Sequence, residues 1–210
     1  MEGKITSLTF QKHNPDRVNV YLDGQFAFGL AAIEAARLRV GQFLSAPEVA
    51  ELQGRDAEEQ AYEKALDLLS YRPRSTTELA RRLRQAEFPP PATEAALDRL
   101  KRVGLVDDRA FAKWWVENRE KFRPRGRRML RWELRQKGVS DHIIDEVLAP
   151  LDERSSASKL AQKRAPRLRD LDKETFRRRL RGYLARRGFP YSIVRDVVQE
   201  AWEELQVSAP

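Results

Sequence analysis

One pattern occurs three times in this chain, at offsets of 51 and 50 residues. LARRLRQAEF begins at Leu79, LRWELRQKGV at Leu130 and LRGYLARRGF at Leu180. In each copy a second leucine follows four positions on (Leu83, Leu134, Leu184), which places both on one face of a helix. Five residues further comes an apolar residue (Phe88, Val139, Phe189), and nine beyond that another (Leu97, Leu148, Val198). A break (Glu87-Phe88, Gly138-Val139, Gly188-Phe189) and a turn then lead into a second amphipathic helix. The turns read Pro89-Pro90-Pro91, Ser140-Asp141 and Pro190-Tyr191-Ser192. A further helix is predicted ahead of each pair, at 57–70, 107–119 and 153–165. The unit is three helices, and a period of roughly 50 residues predicts an array of small bundles. A three-helix unit of that size is marginal alone, so neighbours are expected to share apolar surface.

The head of the chain reads differently. Ile5, Leu8 and Phe10 lie in an extended run that ends at the turn residues His13-Asn14-Pro15-Asp16. Val18, Val20 and Leu22 then alternate with polar partners as far as Asp23-Gly24, the dipeptide of a tight hairpin, and Phe26 and Phe28 resume the alternation. The reading is a three-stranded meander followed by short helices at 31–38 and 46–53, with Ser45 and Glu48 as a capping pair. Charge divides near Gly54–Glu59: residues 1–60 carry 6 basic and 9 acidic side chains, residues 61–210 carry 34 and 23. The expected organisation is an N-terminal β segment with short helices at 1–56, then three-helix repeats at 57–106, 107–152 and 153–210. The fold class is mainly α.

Composition removes several functions. The chain has no cysteine, which rules out disulfides, thiolate metal sites and thiol nucleophiles. No apolar run approaches the ~20 residues that span a bilayer. MEGKITSLTF lacks the long apolar core of a signal peptide. These features predict a cytoplasmic protein with no membrane partner. A net charge of +8 favours an acidic partner, either nucleic acid or an acidic protein surface.

Catalytic constellations are mostly missing. There is no phosphate loop ending in Lys-Ser or Lys-Thr, no GxGxxG and no HExxH. The only histidines, His13 and His142, fall in a turn and at a helix start, where solvation or capping accounts for them. Asp107-Asp108 is the one tempting carboxylate pair, and a metal-dependent nuclease would need a third carboxylate beside it. The pair stands just before a helix, where aspartates cap free N–H groups and meet the positive end of the dipole, so capping is the expectation.

The basic stretches are more informative. From Arg119 to Lys137 nine cationic residues stand against Glu120 and Glu133. With Leu130 and Leu134 buried, Arg128, Arg131 and Arg135 fall on the opposite side of their helix, with Trp132 among them. In repeat register Arg178 and Arg181 occupy the places of Arg128 and Arg131, whereas the first copy has Thr77 and Ala80 there. Guanidinium groups fork onto phosphates and carboxylates. A candidate contact face follows: Arg123, Arg125, Arg128, Arg131, Trp132, Arg135, Arg178 and Arg181. Trp132 reads as a stacking or plugging residue, while Trp114, Trp115 and Trp202 sit on apolar stripes and read as core.

The segments at 65–88, 96–119 and 123–139 together resemble the RecX family of recombinase regulators. The marks are Arg72-Pro73-Arg74-Ser75, the run Gly104-Leu105-Val106-Asp107-Asp108 into Phe111-Ala112, and Arg123-Pro124-Arg125-Gly126. VNVYLDGQFAFGL at 18–30 and LRVGQFLS at 38–45 resemble the N-terminal extension of longer members. The resemblance implies tandem three-helix repeats in an elongated, curved molecule that binds the RecA–DNA filament. It implies lowered strand exchange, ATPase and co-protease activity, with no catalysis and no cofactor of its own. Some members also bind single- or double-stranded DNA directly. A self-contained array gives no reason to expect more than a monomer. The alternative is a DNA- or RNA-binding helical module that acts without RecA, since helix pairs joined by short turns also describe helix-turn-helix readers.

Overall fold

A computed structural model describes residues 1–207. Residues 208–210, the end of the segment expected as the third repeat, lie outside the described residues. The chain forms two compact units, one of Met1–Arg72 with Leu79–Leu105 and one of Pro73–Glu78 with the chain from Val106 onward.

In the first unit, β1 (Gly3–Gln11), β2 (Asn14–Leu22), β3 (Gln25–Ala31) and β4 (Phe43–Leu44) make an antiparallel sheet in the order β3-β2-β1-β4. The meander is as read, with β4 as an added edge strand. Asp23 and Gly24 both take positive φ, as a two-residue hairpin turn requires, and Leu22 pairs with Gln25 across it. Val18, Val20 and Leu22 turn inward onto Ile5, Phe28, Leu30 and Leu44. The first turn is shorter than expected: Asn14–Asp16 already belong to β2, where Pro15 is tolerated near a strand start. The helix expected at 31–38 is only α1 (Ala32–Ala35).

The helices expected at 46–53 and 57–70 are in fact one. α2 (Ala46–Tyr71) runs through 26 residues, so the charge boundary near Gly54–Glu59 falls inside it. An interior glycine costs a helix only about 1 kcal/mol, and Gly54 is outweighed by what surrounds it. The buried Asp56 carboxylate accepts from the Arg17 guanidinium at 2.7 and 3.1 Å, from the Ala31 N–H at 3.1 Å and from Gln60 at 2.6 Å. α2 therefore joins the sheet at one end, while α4 (Pro90–Arg102) packs along it. At its start the Ser45 N–H donates to Glu48 at 2.8 Å, completing the expected capping pair.

The repeats fold as their register predicts. Their helices are α2, α3 (Thr76–Gln85) and α4; α5 (Asp108–Phe122), α6 (Arg127–Gln136) and α7 (Asp141–Leu148); and α8 (Glu153–Arg164), α9 (Lys173–Ala185) and α10 (Tyr191–Val207), with a 3-10 turn at Ala165–Leu168 after α8. The paired leucines 79/83, 130/134 and 180/184 are all fully buried. At about 1.5–3 kcal/mol for each buried leucine, these pairs are the main apolar anchors of the middle helices. Phe111, Val116, Val139, Ile144 and Leu148 complete the core of the second repeat, and Leu160, Phe176, Phe189, Val194 and Val198 that of the third. The tryptophans read as core are half-buried, with Trp202 stacked edge-on against Phe176 at 5.1 Å and Trp114 and Trp115 beside Phe111.

Each middle helix ends on one left-handed residue, and all three sit at the same register position: Glu87 (φ 65°), Gly138 (φ 74°) and Gly188 (φ 87°). This geometry lets the next N–H reach back, Phe88 to the Leu83 carbonyl at 3.2 Å and Val139 to that of Leu134 at 3.1 Å. It also brings the second and third caps against the start of another middle helix. Gly126 N–H donates to the Arg187 carbonyl at 2.9 Å, and a Cβ on Gly188 would lie 2.7 Å from that of Met129. The segment Pro73–Glu78 makes the equivalent contact one repeat earlier. There the buried Ser75 hydroxyl donates to the Lys137 carbonyl at 2.5 Å, and a Cβ on Gly138 would meet the Thr77 side chain.

Two substitutions test this cap. Gly188→Ala meets both Met129 and an unfavourable φ, and is expected to lose about 2 kcal/mol of stability or more. Glu87→Gly relieves a left-handed non-glycine residue and is expected to gain about 1 kcal/mol. Urea midpoints measure both, and a lower midpoint for Glu87→Gly contradicts the account.

Candidate binding face on the second and third repeats

The acidic pair at the start of α5 is occupied by helix ends. Asp107 accepts from the N–H groups of Arg109 at 2.7 Å and Ala110 at 3.1 Å. Asp108 accepts from the Thr76 N–H at 2.8 Å and so caps α3. Among the described residues no group of three or more His, Asp or Glu side chains is placed to hold a metal ion.

The candidate arginines fall into three settings. Arg125 turns inward, its Nε buried and 3.9 Å from Glu133, which also accepts from Arg119 at 2.7 Å and Trp115 at 2.8 Å. Arg131 and Arg135 lean toward α7, Arg131 pairing with Asp145 and Arg135 with Asp141 at 2.7 Å. The hydrogen bond from Arg135 holds the Asp141 carboxyl below its ordinary range, and the same bond raises the Arg135 guanidinium. Both pairs are solvent-exposed, so they add little stability and exchange readily for an external anion. Arg123, Arg128, Arg178 and Arg181 are exposed and make no ion pair among the described residues. Trp132 stands 59% exposed between Arg131 and Arg135 in sequence, which sets it apart from the other tryptophans.

Two depressions collect the unpaired cations. Arg128 and Arg181 flank a cleft of about 580 Å³ whose lining includes Gly182, Ala185, Phe189, Val194 and the exposed Tyr191. Arg127 also borders this cleft, but its guanidinium is held by Glu153 and by the Leu151 carbonyl at 2.6 Å. Beside it, Lys173, Arg177, Arg178 and Arg181 line a second depression of about 560 Å³ with one acid, Glu174. The structure thus brings Arg128 to Arg181 and Arg181 to Arg178, while Arg131 and Arg135 are grouped with α7.

A further group escaped the sequence reading. Arg187 lies over the Tyr183 ring at 3.7 Å, and Arg164 approaches the same ring at 5.5 Å. Burial, and then the nearby Arg125, Arg186 and Arg164, push the Arg187 guanidinium below its usual pKa against the pull of Tyr183. The i, i+4 spacing of Tyr183 and Arg187 was the available signal. Tyr191 and Gly182 were missed because they read as turn chemistry and as an unremarked helix residue.

Tandem three-helix repeats that carry arginine-rich middle helices define a helical-repeat protein. Family patterns identify which one. The Regulatory protein RecX N-terminal domain matches residues 3–45, and the first, second and third RecX three-helix domains match residues 61–100, 107–148 and 152–198. The Regulatory protein RecX of Bacillus pumilus is 32% identical over 95% of this chain and 78% of its own length. That of Mycobacterium sp. (strain KMS) is 44% identical over 67% of this chain and 81% of its own. A crystal structure of regulatory protein RecX superposes with a TM-score of 0.69 at 29% identity, covering 94% of this chain and 98% of that one. The RecX structure from Lactobacillus salivarius, at 23% identity and a TM-score of 0.62, shares the fold over 70% of this chain and 97% of its own. The chain belongs to the RecX family, whose named members are regulatory proteins.

Asp141 and Asp145 compete with any external anion for Arg135 and Arg131. The double variant Asp141→Asn/Asp145→Asn is expected to elute from a heparin column at higher salt than the wild type. Unchanged elution means that these two arginines take no part in anion binding.

Proposed function

We propose that this chain regulates the RecA recombinase by binding the RecA–DNA filament and lowering its strand exchange, ATPase and co-protease activity. The supporting observation is the recurrence of arginines on α6 and α9: Arg128 and Arg178 share one register position, and Arg131 and Arg181 another, with Arg128, Arg178 and Arg181 exposed and Arg131 paired to Asp145. A filament of protein and DNA offers carboxylates and phosphates together, and guanidinium forks bind both. Arg123, Trp132 and Arg135 extend the face, while Arg125 turns inward toward Glu133. On this reading the protein is a cytoplasmic monomer without catalytic chemistry, and its effect comes from occupancy of the filament.

The exposed Trp132 favours a second reading, a module that binds single-stranded nucleic acid by stacking and acts without RecA. The two separate on salt and on partner. Stand-alone binding shows high affinity for DNA alone and a steep loss with salt as counterions are released. Filament binding is weak on DNA alone and strengthens when RecA is present.

The test is a titration of RecA ATPase on single-stranded DNA. Wild type is expected to slow hydrolysis at substoichiometric amounts. The reversal Arg128→Glu/Arg131→Glu/Arg178→Glu/Arg181→Glu is expected to need at least tenfold more protein for the same effect. No inhibition at several-fold excess overturns the function, and equal potency of the variant overturns the face.

A further inference from the structure

The cleft between Arg128 and Arg181 is lined where the third repeat carries small residues in place of large ones. In register, Gly182 of α9 takes the place that Trp132 holds on α6, and Ala185 takes the place of Arg135. The two large side chains that cover the second repeat's middle helix are therefore missing on the third. α10 begins alongside, so the exposed α9 surface becomes the floor of a recess walled by Phe189, Pro190, Tyr191 and Val194. An interior glycine weakens a helix by about 1 kcal/mol relative to alanine. Backbone geometry does not require it here, because Gly182 does not take a positive φ. A Cβ at this position would meet only the far end of Arg186, at 3.2 Å.

The chemistry of the recess is divided. Its interior is apolar, and a volume of about 580 Å³ falls within the range of small-ligand pockets, ~300–1,000 Å³. Its rim carries the two unpaired guanidiniums of Arg128 and Arg181. The one carboxylate there, Glu153, is neutralised by Arg127, whose backbone N–H also donates to it at 2.8 Å. An occupant therefore needs one apolar side chain to fill the interior and negative charge on both sides of it. A nucleic-acid strand matches less well within this recess, since its apolar interior separates Arg128 from Arg181 and offers phosphates no donors between them.

We propose that this cleft is a docking site for an acidic peptide segment of a partner protein, with an aromatic side chain seated on Gly182 and Ala185 and flanking carboxylates on Arg128 and Arg181. The proposal deepens the reading of the same arginine face given above by naming what that face receives.

The full chain is titrated into a fluorescein-labelled Asp-Glu-Phe-Asp-Glu peptide and followed by anisotropy. Saturable binding is expected. A peptide with Ala for Phe, the variant Gly182→Trp, which restores the residue of the second repeat, and the variant Arg128→Glu/Arg181→Glu should each bind at least tenfold more weakly. Gly182→Leu serves as a second filling variant, and circular dichroism confirms that each is folded. Oligothymidylate run in parallel should bind wild type and Gly182→Trp alike. Four results overturn the proposal: no peptide binding at millimolar concentration, equal binding of the Ala peptide, equal binding by both filled variants, or loss of oligothymidylate rather than peptide binding on filling. No recombinase is present, so failure here leaves the filament reading standing. Failure of the ATPase titration likewise leaves the cleft standing.

Discussion

The structure of the repeats depends on the way each middle helix stops. An L-residue in the left-handed region is strained, and glycine is not. Where the chain turns at Gly138 and Gly188 it closes its own helix end and presents a surface with no side chain. At the third repeat that surface lies against Met129, while the Arg187 carbonyl accepts from Gly126. Gly126 is itself confined, because a Cβ there would lie 2.7 Å from the Phe189 nitrogen. At the second repeat the same place is filled by Ser75, whose hydroxyl does the work of the Gly126 N–H, with Glu78 buried between Arg74 and Lys137. One backbone-to-backbone junction and one side-chain junction thus solve the same geometric problem. Close contact of this kind leaves little freedom for one cap to slide on its neighbour, since displacement would strand buried polar groups.

The arginines follow from this arrangement. A helix buried through leucines at i and i+4 must turn its remaining side chains outward or sideways. On α6 the sideways positions meet the acids of α7, which leaves Arg128 as the free cation nearest the third repeat. On α9 the helix that follows carries no acid paired to Arg178 or Arg181, and both remain available. The difference lies in α7 and α10, whose acidic residues pair with the middle helix in one repeat and with Arg154 in the other. Electrostatic availability is therefore set by the third helix of each repeat as much as by the basic helix itself.

Much of this was legible in the amino acids. The leucine spacing, the breaks at Glu87, Gly138 and Gly188, the Asp23-Gly24 hairpin and the capping role of Asp107 each carry a local rule, and local rules survive folding, whereas Asp108 caps the distant α3. The continuity of α2 was not legible, because Gly54 and a change of charge look like a boundary until Asp56 is seen gathering Arg17 and the Ala31 N–H from the sheet. The inward turn of Arg125 was hidden for the same reason, since Glu133 is eight residues away and only folding reveals that Arg119, Trp115 and Arg125 converge on it. The cleft needed both kinds of information: the exchange of Trp132 for Gly182 is visible in the register, but its walls come from α10.

The central claim is that the outward sides of α6 and α9 form the surface that meets a regulated filament. Amide hydrogen exchange on the full chain, with and without RecA assembled on single-stranded DNA, tests it most directly. The account predicts slowed exchange in residues 127–136 and 173–191 when the filament is present, with the sheet at residues 3–31 unchanged. Protection confined to that sheet, or no change in either middle helix, would contradict it.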